Sequence, residues 1–179
     1  MKKIKYILFG TVILTSFVGG TGKVLAADTL SGNTTVTTNV VPGDLSVLPT
    51  KTIDFGTVTL NGKDQIVNEN KSTVEVSDFR GIGSGWTLTL KEEQEIKGLE
   101  MKVAPSIDAK STAATVSGEF SLNTQDHKFA EVTKASAKSH PLEELDTAMK
   151  LNSKLKLAKD LASKSYSMDL VWTLTAGPK

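Results

Sequence analysis

The chain contains no cysteine, two histidines, two tryptophans and five prolines in 179 residues. Without cysteine there are no disulfides, thiol nucleophiles, Cys-ligated zinc sites or thiolate-held iron–sulfur clusters. With only His127 and His140, a His-based triad or a His-rich metal centre has almost no raw material. No carboxylate pair stands out among the 20 scattered acids. The chain therefore reads as a non-enzyme, with neither cofactor nor metal expected. Its length suits one domain, at roughly 100–200 residues per domain. Hydrophobic residues at 39% and charged residues at 23% supply a core and argue against wholesale disorder.

The first 26 residues read as a secretory signal peptide. Lys2, Lys3 and Lys5 form a positive start, Tyr6–Val18 an apolar run too short for a comfortable membrane span, and Val24-Leu25-Ala26 a small-residue exit. Cleavage is expected after Ala26, with the next bond as the alternative. No cysteine stands there to carry a lipid, and Thr175-Ala-Gly-Pro-Lys179 shows neither a sorting motif nor an apolar tail. Retention at a surface is accordingly expected to be noncovalent. Residues 27–179 carry a net charge of −3, too acidic for a nucleic-acid binder, which needs a basic stripe against phosphates. An exported chain without cysteine fits a single-membrane bacterium and must rely on core burial for stability.

Beyond the leader the dominant hydrophobic period is two. Val36–Val40, Thr57–Leu60, Thr73–Val76, Trp86–Leu90 and Leu99–Val103 alternate apolar with polar, as half-buried antiparallel strands do. Pro42-Gly43-Asp44, Gly81–Gly85 and Asn123 separate them, and Asn61-Gly62 reads as a tight hairpin turn. Near the C-terminus Tyr166, Met168, Leu170, Trp172 and Leu174 occupy every second position, a register that a one-residue slip would turn inside out. Short strands about ten residues apart predict an antiparallel β-sandwich, immunoglobulin-like in size. One short helix is expected within Ser139–Met149, where Pro and two Glu follow a possible cap and Leu142, Leu145 and Met149 share a helical face. Leu151, Leu155 and Leu157 alternating with Lys150, Lys154 and Lys156 read as a further strand or as a continued helix.

Some motif-like spacings carry little. Gly81-Ile-Gly-Ser-Gly85 precedes a Trp-bearing strand rather than the helix a phosphate loop opens. Ser153-x-x-Lys156 lacks the companion motifs of penicillin-binding enzymes, and His127 reads as a solvated side chain. Lys150, Lys154 and Lys156 offer a contact for anionic wall polymers, weighed against a soluble strand face.

Both tryptophans fall in one tripeptide: Trp86-Thr87-Leu88 and Trp172-Thr173-Leu174, the second preceded by Tyr166 and followed by Pro178. This pair with its flanking residues resembles the WxL-domain family of Gram-positive surface proteins, over essentially residues 27–179. The resemblance implies noncovalent attachment to the cell wall, with peptidoglycan as ligand class. It also implies neighbours such as a membrane-anchored WxL-interacting protein and sortase-anchored proteins. The alternative is a structural subunit that meets those proteins and no glycan. Each indole is either a core residue or a partly exposed platform for a sugar ring; periodicity favours the core.

Overall fold

The computed structural model describes residues 35–107, 113–140 and 146–177, with no description of the side chains of residues 70 and 71. The signal-peptide segment lies outside the described residues. The unit Asn39–Lys179 is mainly β: β1 (Leu45–Pro49), β2 (Gln65–Asp78), β3 (Trp86–Glu92), β4 (Leu99–Ile107), β5 (Thr115–Val116), β6 (Phe120–Ser121), β7 (His127–Val132), α1 (Lys134–Ser139), β8 (Asp146–Leu157) and β9 (Leu170–Ala176). All pairings are antiparallel. One sheet has the order β1-β2-β8-β4-β6 and the other β5-β7-β3-β9. The sandwich expected from the alternation is what forms.

Its core is one cluster between the sheets. Val74 and Val76 of β2, Met101 and Val103 of β4, and Met149 and Leu151 of β8 meet Trp86, Leu88 and Leu90 of β3 and Phe129 and Val132 of β7. In a cysteine-free chain this burial is the main stabilising term, at about 25 cal/mol per Å² of apolar surface.

The one helix among the described residues, α1, lies earlier than the segment where a helix is expected. Thr133 caps it by accepting the Ser136 N–H on its side-chain oxygen, at 3.2 Å. Residues 141–145 lie outside the described residues, and Asp146–Met149 belong to β8. Met149 fits two periods, a helical one with Leu142 and Leu145 and a period of two with Thr147, Leu151 and Ser153. The second prevails because β8 is hydrogen-bonded on both sides, to β2 and β4. The strand reading of Leu151–Leu157 is the one that forms.

Two expected strands are absent. Val36–Val40 and Thr57–Leu60 carry no regular secondary structure. Asn61-Gly62 therefore closes no hairpin; it is a bend, with Gly62 at φ +73°, inside the 50–64 connection of β1 to β2. Alternation is a local property, whereas a strand requires a partner, and neither segment finds one among the described residues. The C-terminal stripe is a strand only from Leu170 onward; Tyr166 and Met168 lead into it.

Candidate functional site

The two W-x-L tripeptides meet. β3 and β9 pair antiparallel, with Thr87 opposite Thr175, Leu88 opposite Leu174, Thr89 opposite Thr173 and Leu90 opposite Trp172. Alternation then sorts the motif residues between two faces. Trp86, Leu88 and Leu90 point into the core, Trp86 being only 1% exposed. Trp172, Leu170, Leu174, Met168 and Tyr166 are half-buried, the first four packed against the same core. The Trp172 ring meets Phe129 edge-on, with centroids 5.0 Å apart and planes at 77°, a favoured aromatic geometry. The Tyr166 hydroxyl donates to the Ala162 carbonyl at 2.9 Å, and the Lys164 ammonium lies 4.9 Å from the centre of its ring.

The middle residues of the motifs face outward. Thr87 and Thr89 are half-buried, and Thr173 and Thr175 exposed. They form two directly opposed threonine pairs on the solvent side of the sheet, followed by Lys91 opposite Val171. The row continues past both strand ends, where the Glu93 N–H donates to the Asp169 carbonyl at 2.9 Å. From Thr87 to Glu93 it runs about 20 Å at ~3.3 Å per residue. At the acidic end it opens into a groove of about 560 Å³ lined by Glu93, Gln94, Lys164, Tyr166, Met168 and Asp169 among others. Hydroxyls, an amide, carboxylates balanced by the Lys91 and Lys164 ammoniums and one aromatic ring on an open surface suit a hydroxyl-rich polymer.

Glu92 ends β3 and points the other way. It is 3% exposed, and burial, followed by the nearby Glu95 charge, raises its pKa above the ordinary carboxylate range. A carboxyl raised on folding favours the native state while protonated. That advantage is complete below the unfolded pKa and lost as pH rises through the folded one. Glu92→Gln should accordingly raise the melting temperature at pH 7, and the gain should vanish below the ordinary carboxylate range. Thermal melts of both proteins across pH check this.

The lysines of β8 stand apart from this row. Lys150, Lys154 and Lys156 are exposed on the outer face of the other sheet. Lys154 pairs with Glu119 at 3.2 Å and Lys156 with Glu100 at 3.9 Å. Lys102 faces Lys154 across the β4–β8 ladder, a neighbour that spacing along the sequence could not supply. His127 opens β7, stacks on Phe120 with centroids 5.1 Å apart, and has Nε2 3.0 Å from the Asn123 side-chain oxygen. It is thus a half-buried strand residue with one ring face against Phe120. No group of three or more metal-ligating side chains occurs among the described residues.

A disulfide-free sandwich whose two tryptophan strands are hydrogen-bonded neighbours, with a polar row on their outer side, has the form of a binding domain. The chain matches the model of the WxL domain, described as surface cell wall-binding, over residues 27–178, and belongs to that family. It is a protein of the cell wall or cell surface, and the family is one of wall binding rather than catalysis. A comparison with curated proteins finds no match.

Proposed function

We propose that this chain is exported, freed of residues 1–26, and held noncovalently on the Gram-positive cell wall by peptidoglycan, contacted along the row from Thr87 and Thr175 to Glu93 and Asp169. The observation that carries the reading is the division of the motifs. Their apolar residues are used to close the core, with Trp86 almost inaccessible, while their middle residues Thr87 and Thr173 face outward, opposite Thr175 and Thr89 respectively. Paired hydroxyls at strand spacing present donors and acceptors in a regular array, and each hydrogen bond to a sugar contributes about 0.5–1.5 kcal/mol. The lysine face of β8 would add contacts to anionic wall polymers, and these would weaken with salt.

Sedimentation with purified peptidoglycan, no other protein present, tests the reading. The wild-type chain should pellet with the wall. The double variant Thr173→Ala/Thr175→Ala should bind about tenfold more weakly, the equivalent of ~1.4 kcal/mol. A wild-type chain left in the supernatant overturns wall binding by glycan; equal binding by the variant moves the contact away from this row. Retention insensitive to salt assigns no part to Lys150, Lys154 and Lys156.

A second reading, a structural subunit docked on a membrane-anchored WxL-interacting protein or a sortase-anchored protein, draws on Phe79 and Ile82. Both apolar side chains are 47% exposed, on either side of the Arg80-Gly81 turn. Failure to pellet with bare wall, with retention restored by added envelope proteins, would favour it.

A further inference from the structure

Thr35–Val41 (Thr-Val-Thr-Thr-Asn-Val-Val) has the composition of a strand and no strand partner among the described residues. β-branched residues fill six of its seven positions, the chemistry that fits a pleated sheet. Its large apolar side chains are left in water: Val36 is 88% exposed, Val40 85% and Val41 71%. The segment has no charge and no proline. An uncharged, β-prone, apolar stretch of this kind tends to add itself to an available sheet edge.

The same chain carries such an edge. β9 pairs only with β3 among the described residues; β1 of the other sheet lies close to it without pairing, so the second side of its backbone ladder is unpaired by any strand there. Natural edge strands are usually blunted by a lysine, a proline, a bulge or shortness. β9 has none of these over Leu170–Ala176: its seven residues are uncharged and free of proline, and its pairing with β3 runs without a register shift. The other edges differ. β1 ends in Pro49, and β5 and β6 have two residues each. The core-facing side chains Leu170, Trp172 and Leu174 are only half-buried, so a further strand beside β9 would cover apolar surface that the single chain leaves partly wet.

We propose that Thr35–Val41 of one copy adds as a strand to the free edge of β9 in a second copy, extending that sheet from four strands to five. Segment and edge match in length, seven residues each, and in lack of charge. Because donor and acceptor are different surfaces of one chain, the contact is head-to-tail, and each copy that donates a strand keeps its own edge open for the next. The product is a linear array of domains. Strand addition uses the edge of the sheet and leaves the outward row of Thr87, Thr89, Thr173 and Thr175 uncovered, so the proposal does not depend on what that row binds.

The chain from Ala27, the span matched by the family model, should show concentration-dependent self-association in sedimentation equilibrium. Val36→Asp/Val40→Asp should abolish it with an unchanged melting temperature. Because the native chain lacks cysteine, cross-linking gives an independent readout. Copies bearing one Cys at each position from 36 to 41 in turn, mixed with copies bearing Val171→Cys, should form mixed disulfides at alternate arm positions. That period of two marks a strand, which nonspecific adhesion would not produce. A monomer at all concentrations, association untouched by the two aspartates, cross-linking uniform along the arm, or disulfides closing within single chains when both Cys are placed on one copy would each overturn the proposal.

Discussion

Trp86→Ala is expected to cost about 3–5 kcal/mol of folding free energy, the range for removing a large aromatic from a packed core. The indole is 1% exposed and lies in the one cluster that joins the sheets, among β2, β4, β7 and β8 side chains. No repacking of small neighbours can fill a void of that size, so both the lost transfer energy and the cavity count against the variant. For a domain of about 150 residues each kcal/mol lowers the melting temperature by roughly 2–4 °C. Trp172→Ala should cost clearly less, about 2 kcal/mol, because that indole is half-buried at a sheet edge and its main contact is the edge-on meeting with Phe129. The Trp86 indole N–H has no hydrogen-bond partner among the described residues. Trp86→Phe therefore sacrifices volume and no bond, and should fall between wild type and Trp86→Ala. Equilibrium denaturation of the three variants gives the order. A Trp86→Ala protein that melts like wild type but no longer sediments with peptidoglycan would instead make this residue the ligand contact.

The asymmetry between the tryptophans shows where sequence reading succeeds. Trp86-Thr-Leu-Thr-Leu90 and Leu170-Val-Trp-Thr-Leu174 alternate without interruption, so their inward and outward residues are legible from spacing alone. Which strand each one joins depends on contacts more than eighty residues apart, and only the register reveals that Thr87 faces Thr175. β7 illustrates the opposite case. Between Leu88 and Thr89 its pairing with β3 shifts by one residue, so that Lys128 and Ala130 have partners while Phe129 has none. The bulge puts Phe129 and Ala130, adjacent in sequence, both in the interior. His127-Lys-Phe-Ala-Glu-Val132 therefore never shows a period of two. Val36–Val40 errs in the other direction, since a good strand pattern with no strand partner among the described residues stays unpaired. Glu93 and Asp169 were invisible as extensions of the threonine row because neither lies in a W-x-L tripeptide, and cross-strand pairing alone sets them side by side.

Arg80→Ala should be comparably damaging, at about 3–5 kcal/mol, through a different mechanism. Asp78 ends β2 with its side chain 5% exposed, and the Arg80 guanidinium, 13% exposed, grips it through Nε and Nη2 at 2.7 Å each. The same Nη2 donates to the Gly85 carbonyl at 2.7 Å, and the Gly177 N–H reaches that carbonyl at 2.9 Å. One fork therefore fastens the end of β2, the start of β3 and the chain just beyond β9. The backbones are close enough here that a Cβ on Gly85, which sits at φ +72°, would overlap the Val132 carbonyl, and one on Gly177 the Ser84 carbonyl. Removing the guanidinium leaves a buried carboxylate without its counter-charge, which costs more than the pair itself contributes. Arg80→Lys keeps the charge but cannot form the two-pronged contact and should recover only part of the loss. The double variant Asp78→Ala/Arg80→Ala should be less destabilised than Arg80→Ala alone, because no uncompensated charge remains. Denaturation of wild type, Arg80→Ala, Asp78→Ala and the double variant gives the coupling energy directly. A double variant worse than Arg80→Ala would show that no uncompensated charge is left by the single change and that the Asp78 carboxylate stabilises the fold without its guanidinium partner, against this mechanism.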